Sequence, residues 1–211
     1  MFDYSLMHWT TFFSAALLLN ISPGPDMAFI LGQTAKGGKS AGLAAMFGIW
    51  SGAFVHALMA ALGLSAVLAS SATAFAVVKW AGAAYLIWLG LQSLCSKSSP
   101  FTAEAAHCAL SQGKIWRQGL LVSVMNPKVA VFFLAFLPQF VVHGAGPIAA
   151  QLFLHGVLII AVAGLVELPL VYLGARLSVY FRRHPAVGLW LDRTMGGVLV
   201  ALGARLAASE R

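Results

Sequence analysis

An all-α integral membrane protein of six transmembrane helices, built as a 3+3 inverted repeat with proline-broken first and fourth helices, is what three features of this sequence predict. The chain of 211 residues is 60% hydrophobic and 9% charged. Its 13 basic and 6 acidic side chains are too few to cover that much apolar surface in water. Six stretches reach or approach the roughly 20 apolar residues that cross a hydrocarbon layer of about 30 Å. A small polar residue followed by proline interrupts the first and the fourth of them, at Ser22-Pro23 and Asn126-Pro127.

The spans are expected near 6–34, 42–69, 74–94, 117–141, 148–175 and 193–208. The first carries Ser22-Pro23-Gly24-Pro25-Asp26 inside an apolar run from Phe12 to Ala35. Unwound backbone survives in a bilayer only where protein or a watery cavity covers it, so this break marks a candidate site. The lead-in holds Asp3 and no Lys or Arg, unlike a secretory leader, and the span is expected to stay attached. The second span sets Gly48, Gly52, His56 and Ala60 at four-residue spacing, a small-residue face for close helix packing. Polar, irregular sequence over 96–116 divides a first repeat, 1–95, from a second, 117–211. The third spans echo each other, Lys79, Gly82, Ala83 and Leu89-Gly90 against Arg193, Gly196, Gly197 and Leu202-Gly203. Three spans is an odd number, so a duplicated unit must lie inverted in the membrane. The small-residue faces at Gly48-x-x-x-Gly52 and Gly196-Gly197 suit packing within one chain or in a homo-oligomer.

Charge sets the orientation. Lys36, Lys39, Lys97, Lys114, Arg117, Arg176, Arg182 and Arg183 all fall on the connections between spans one and two, three and four, and five and six. The other side has only Arg211, so those three connections are expected in the cytoplasm and both termini in the periplasm. The formal net charge of +7 follows from this bias and suits anionic headgroups of the lipid bilayer. No basic, aromatic-bearing soluble module is present to hold nucleic acid. Cys95 and Cys108 are 13 positions apart, a spacing of neither a redox pair nor a zinc clip. No metal or cofactor is expected.

Few polar groups lie deep in the spans. Asp26 is about 13 Å from the cytoplasmic end of its helix, too deep for a short carboxylate to reach water. It suits either a cap on a restarting helix or a functional acid. Lys128 follows Asn126-Pro127 about eleven residues into its span, within reach of Asp26 or of an anionic substrate group, or else snorkelling. Glu167, beside Pro169, can carry a proton or sit hydrogen-bonded to a neighbour. His56 suits a packed, bonded histidine or a proton relay. Lys79 is expected to snorkel at the outer interface, with Arg193 as an interface anchor and Trp9, Trp80 and Trp88 in aromatic belts.

The chain resembles the LysE/RhtB amino-acid exporters. The residues that carry the likeness are Ser22-Pro23-Gly24-Pro25-Asp26, Gly37-Gly38 with Gly42, Lys79 with Gly82, Ala84, Tyr85-Leu86 and Leu89-Gly90, and Gly119 with Asn126-Pro127-Lys128. The resemblance covers nearly the whole chain and implies proton-driven export of amino acids or related small zwitterions across a bacterial inner membrane. Glu167 is no part of the shared pattern. The expected substrate site is Ser22, Pro23, Gly24, Pro25, Asp26, Asn126, Pro127 and Lys128, with Asp26, Glu167 and His56 as candidates for coupling to protons. Asp26 and freed carbonyls would take the substrate ammonium, and Lys128 with free backbone donors its carboxylate. An enzyme is not expected: there is no Cys-x-x-Cys, no histidine-rich cluster and no Ser/His/Asp set. A passive channel, an embedded enzyme or an assembly partner would also tolerate broken helices.

Overall fold

A computed structural model describes residues 4–64, 72–96 and 111–208, and no strand occurs among them. The elements are α1 (Leu6–Ile21), α2 (Pro25–Met59) running into a π-turn (Ala60–Leu64), α3 (Ala72–Leu94), α4 (Gln112–Val124), α5 (Pro127–Val131), α6 (Ile148–Arg183) and α7 (Pro185–Ala208). After α5 the chain tightens and loosens through a π segment (Phe132–Phe136) and a 3₁₀ turn (Leu137–Phe140). The helical form follows from the solvent: in hydrocarbon every N–H and C=O must be bonded within its own segment.

Among the described residues, length and apolarity alone qualify three helical stretches to cross a membrane, Pro25–Gly63, Ile148–Gly174 and Pro185–Ala208. They become four if Gln112–Val124 and Pro127–Phe140, bent 50° apart, make one broken span. Both expected proline breaks are present, after Ile21 and after Val124.

The boundaries differ from the expectation in four places. α6 continues past 175 to Arg183, so Arg176, Arg182 and Arg183 belong to its last turns rather than to a loop, and His184 alone joins it to α7. No loop separates the first two spans. Gly38 alone leaves helical geometry, at φ 71° and ψ −164°, a backbone region that favours glycine. A methyl at Gly42 would come within 3.2 Å of Thr34 Cβ. Residues eight apart on a straight helix are separated by about 12 Å, so the chain doubles back at Gly38 into limbs 25–37 and 39–59. The fourth span begins at Gln112, ahead of the expected 117, and 97–110 of the expected linker lies outside the described residues. The last helix starts at Pro185, eight residues before the expected 193, because proline at a first helical position is pre-organised for the turn that follows.

Small residues set the packing. Limb 39–59 lies on α4, with a Cβ at Gly48 3.0 Å from Gly119 Cα and one at Gly52 2.8 Å from Leu120 O. α3 lies on α7, where Gly90 and Gly196 each face the other's carbonyl at 2.5 and 2.6 Å from an added Cβ. The Gly48-x-x-x-Gly52 face and Gly196 are therefore packed inside the chain, whereas Gly197 is exposed and meets open space. A phenylalanine-rich core of Phe12, Phe132, Phe133, Phe136 and Phe140 fills the space between α1, α6 and the π segment. Trp80, Trp88, Leu165 and Trp190 are exposed on the outer surface, where lipid would meet them. Lys79, expected at the outer interface, is buried instead with its ammonium 5.4 Å from the Trp80 ring, because α3 packs on the π segment through Gly82 and Ala135.

Candidate functional site

At the first break Ser22 N still bonds Leu18 O, after which Pro23 can offer no donor and Gly24 is fully extended at φ −176° and ψ −175°. Pro25 opens α2 and Asp26 occupies its first turn, where the helix dipole favours an anion. The second break is shorter. Asn126 caps α5, its Oδ1 accepting from Lys128 N at 3.0 Å, and Pro127 holds the first helical position.

One side chain joins the breaks. The Lys128 ammonium donates to Ser22 O at 2.9 Å and Leu19 O at 3.3 Å, so a cation from α5 caps the carbonyl end of α1. A Cβ at Gly24 would lie 3.2 Å from that nitrogen. Lys128 therefore finds its hydrogen bonds on main-chain carbonyls at the end of α1 and the start of the first break, next to the carbonyls around Pro23 to Pro25 expected to take a substrate ammonium.

Two cavities flank this junction, and Lys128 alone lines both. The smaller, about 40 Å³, is walled by Asn20, Ser22, Asp26, Trp50, Ser123 and Glu167 among apolar neighbours. The larger, about 470 Å³, is bounded by Pro23, Gly24, Pro25, Asn126 and Pro127 on one side and by Tyr85, Trp88, Gln92, Ser93 and Asp192 on the other. Among the described residues, Ser22 Oγ, Asp26 Oδ1, Ser123 Oγ and Asn126 Nδ2 are buried without a hydrogen-bond partner. All four belong to walls of these two cavities. An unbonded buried polar atom costs about 1–3 kcal/mol, so their clustering marks where a polar ligand, a proton or water would be met.

The expected site residues divide accordingly. Ser22 and Asp26 face the small cavity, Pro23, Gly24, Pro25, Asn126 and Pro127 the large one. Glu167 joins Asp26 in the small cavity and accepts from Trp50 Nε1 at 2.6 Å. His56 lines neither. It is buried, 3.3 Å from Ser123 O and against the Phe133 ring.

Asp192, Ser93 and Trp50 escaped the sequence reading, although an acid on an apolar helix is a strong signal. Starting the last span at 193 placed Asp192 one residue outside it. A second cluster also went unread. At the start of α1, His8 Nε2 lies 2.8 Å from His155 Nε2, Tyr4 OH donates to Gln151 Oε1, and Trp9 stacks on His155. The two hydrogen-bonded pairs are each 147 positions apart in sequence, with no local pattern to link them.

Comparison with known proteins agrees with the geometry. The family model for LysE type translocator matches residues 17–210. The chain is similar to an uncharacterized membrane protein of Vibrio cholerae, 29% identical over 204 residues that cover 96% of this chain and 97% of the relative. It is similar also to the homoserine/homoserine lactone efflux protein of Salmonella typhimurium, 29% identical over 202 residues that cover 96% and 97%. The protein of the same name from Salmonella typhi matches over the same shares at 29%. No solved structure matches. With paired helix breaks, membrane-spanning helices and a family match over almost its full length, this chain belongs to the LysE-type translocators, a family of membrane transporters.

Proposed function

We propose that the protein is a secondary transporter that exports a small amino acid or a related zwitterion across a bacterial inner membrane, coupled to protons. The observation that carries the reading is the junction at Lys128, where one cation ties two helix breaks together between two cavities that each hold polar groups among apolar neighbours. Inverted-repeat transporters bind substrate where broken helices meet near the midplane. The six crossings of such a repeat are α1 with limb 25–37, limb 39–59, α3, α4 with α5, α6 and α7, divided into 1–95 and 117–211. α4 covers about 20 Å before its break, and limb 25–37 covers about 20 Å after its own, so both breaks fall at like depth. The relatives named as homoserine/homoserine lactone efflux proteins support an amino-acid substrate and the outward direction.

The small cavity is too tight for an amino acid. Benzene occupies a site of about 150 Å³, whereas 40 Å³ accommodates a water or two. Asp26 and Glu167, two acids in one confined polar space, suit proton binding instead. Substrate belongs beside Pro23, Gly24, Pro25, Asn126, Pro127 and Lys128, with Ser22 behind them. A change in the proton load of Asp26 or Glu167 alters the charge facing Lys128, and so the balance between its inward and outward arrangements. His56 is a packing residue in this scheme. The basic connections lie in the cytoplasm and the termini in the periplasm.

The test is export from reconstituted vesicles loaded in turn with labelled L-amino acids and L-homoserine under an imposed proton gradient. The wild-type protein exports at least one of them, and Asp26→Asn lowers the gradient-driven rate tenfold or more. Normal export by Asp26→Asn removes that acid from the mechanism. Solute flux or conductance indifferent to the gradient would mean a passive channel.

A further inference from the structure

The large cavity has the proposed substrate site at the helix breaks as one wall, and a second wall on α3 and α7 that neither the breaks nor the family match assigns. Its volume of about 470 Å³ falls within the 300–1,000 Å³ usual for small-molecule pockets. Asp192 of α7 stands on one wall, held by hydrogen bonds from Ser93 and Ser96 at the end of α3. Lys128 and Asn126 stand on the facing wall, at the second break.

Asn126 adds an independent sign of a missing partner. Its Oδ1 is fixed as the acceptor by Lys128 N, so the amide cannot be turned, and Nδ2, which faces the Asp26 carboxylate, closes no hydrogen bond of its own. A donor so placed beside an ammonium suits a carboxylate, which accepts at two oxygens. Between the polar ends, Tyr85, Trp88, Leu89 and Leu199 line the wall with apolar and aromatic surface.

We infer that this cavity is the loading chamber for an α-amino acid, with Asp192 taking the substrate ammonium and Lys128 with Asn126 taking its carboxylate. The inference deepens the exporter reading and rests on it. Ser93 and Ser96 close α3 and Asp192 lies two turns into α7, the ends of those helices nearest in sequence to Lys97 and to Arg182 and Arg183, so the chamber loads from the cytoplasm. A bound carboxylate competes with Leu19 O and Ser22 O for the Lys128 ammonium. Substrate binding thereby loosens the tie between the two breaks, and the same Lys128 is the partition in front of Asp26 and Glu167.

The experiment uses the full chain with Cys95→Ser and Cys108→Ser, and a single probe cysteine at the exposed chamber residue Gln92 (Gln92→Cys). The amino acid found to be exported in the vesicle screen is used as protectant against a polar maleimide. The chamber is supported if that amino acid slows labelling at position 92 and Asp192→Asn raises the half-protecting concentration tenfold or more while Asp192→Glu restores it. Monodisperse elution of each variant separates lost binding from lost folding. Export of an amino acid that never protects position 92, with a normal export rate for Asp192→Asn, overturns the chamber and leaves the exporter standing. Export of nothing by the wild-type protein overturns both readings.

Discussion

At the first break three residues, Ser22 to Gly24, separate α1 from α2, whereas at the second only Met125 and Asn126 separate α4 from α5. The second closes its own hydrogen bonds: Met125 N reaches Leu121 O, Asn126 N reaches Ser123 O, and the Asn126 side chain caps the helix that follows. The first has no side-chain cap at Gly24, and its carbonyls at Leu19 and Ser22 depend on a cation sent from the second. Two similar motifs thus serve different ends. The self-capped break is a fixed post that presents Lys128, and the open break is the receiver, with main-chain acceptors and an acid that a ligand or a proton can compete for.

Removing the cation should break this comparison most visibly. In Lys128→Met the Leu19 and Ser22 carbonyls lose two charge-assisted hydrogen bonds, each worth about 1.5–3 kcal/mol. We expect export to fall to background. Amide exchange in nanodiscs, followed by mass spectrometry, should rise at least tenfold over residues 19–26 and much less over 121–128. Equal protection of both breaks would mean that the first does not depend on Lys128.

A smaller change sharpens the same point. Gly24 has extended backbone that any residue adopts, so Gly24→Ala acts only through its methyl, 3.2 Å from Lys128 Nζ and 3.7 Å from Cε. Displacing the ammonium slightly should slow export about two- to fivefold, equivalent to about 0.5–1 kcal/mol. In a Lys128→Met background the same substitution should have no further effect on exchange over 19–26, because the two changes act on one contact. An additive effect would place the influence of Gly24 elsewhere.

Much of the helical architecture could be read from the chain because its signals are local. Proline after a small polar residue marks a break wherever the next helix restarts, and both breaks lie where Ser22-Pro23 and Asn126-Pro127 put them. Glycines at four-residue spacing likewise foretold close contact of limb 39–59, though not that α4 would be the partner. Long-range pairings left no such trace. Lys128 was expected to reach Asp26 or an anionic substrate group, and it does line the small cavity with Asp26, yet the carbonyls that bond it belong to residues whose side chains say nothing of the contact. Asp192 was missed through a boundary: proline at 185 starts α7 earlier than the apolar run suggests, and those extra turns bring an acid to the large cavity. Gly38 hid its role in the same way, because a single residue of unusual backbone does the work expected of a loop.

The least disruptive substitution separates two tasks of one side chain at the self-capped break. Asn126 accepts from Lys128 N through Oδ1, while Nδ2 faces the Asp26 carboxylate without closing a hydrogen bond, so the cap and the proposed ligand contact use different atoms. Asn126→Ala removes both and should lower stability by about 1 kcal/mol, the usual value of an N-cap. Asn126→Asp keeps an acceptor for Lys128 N and loses the amide donor, so the melting temperature should return towards the wild type. Substrate protection at position 92 should stay weak in both variants. If Asn126→Asp instead recovers protection along with stability, the amide nitrogen has no part in binding, and Lys128 alone would have to receive the carboxylate.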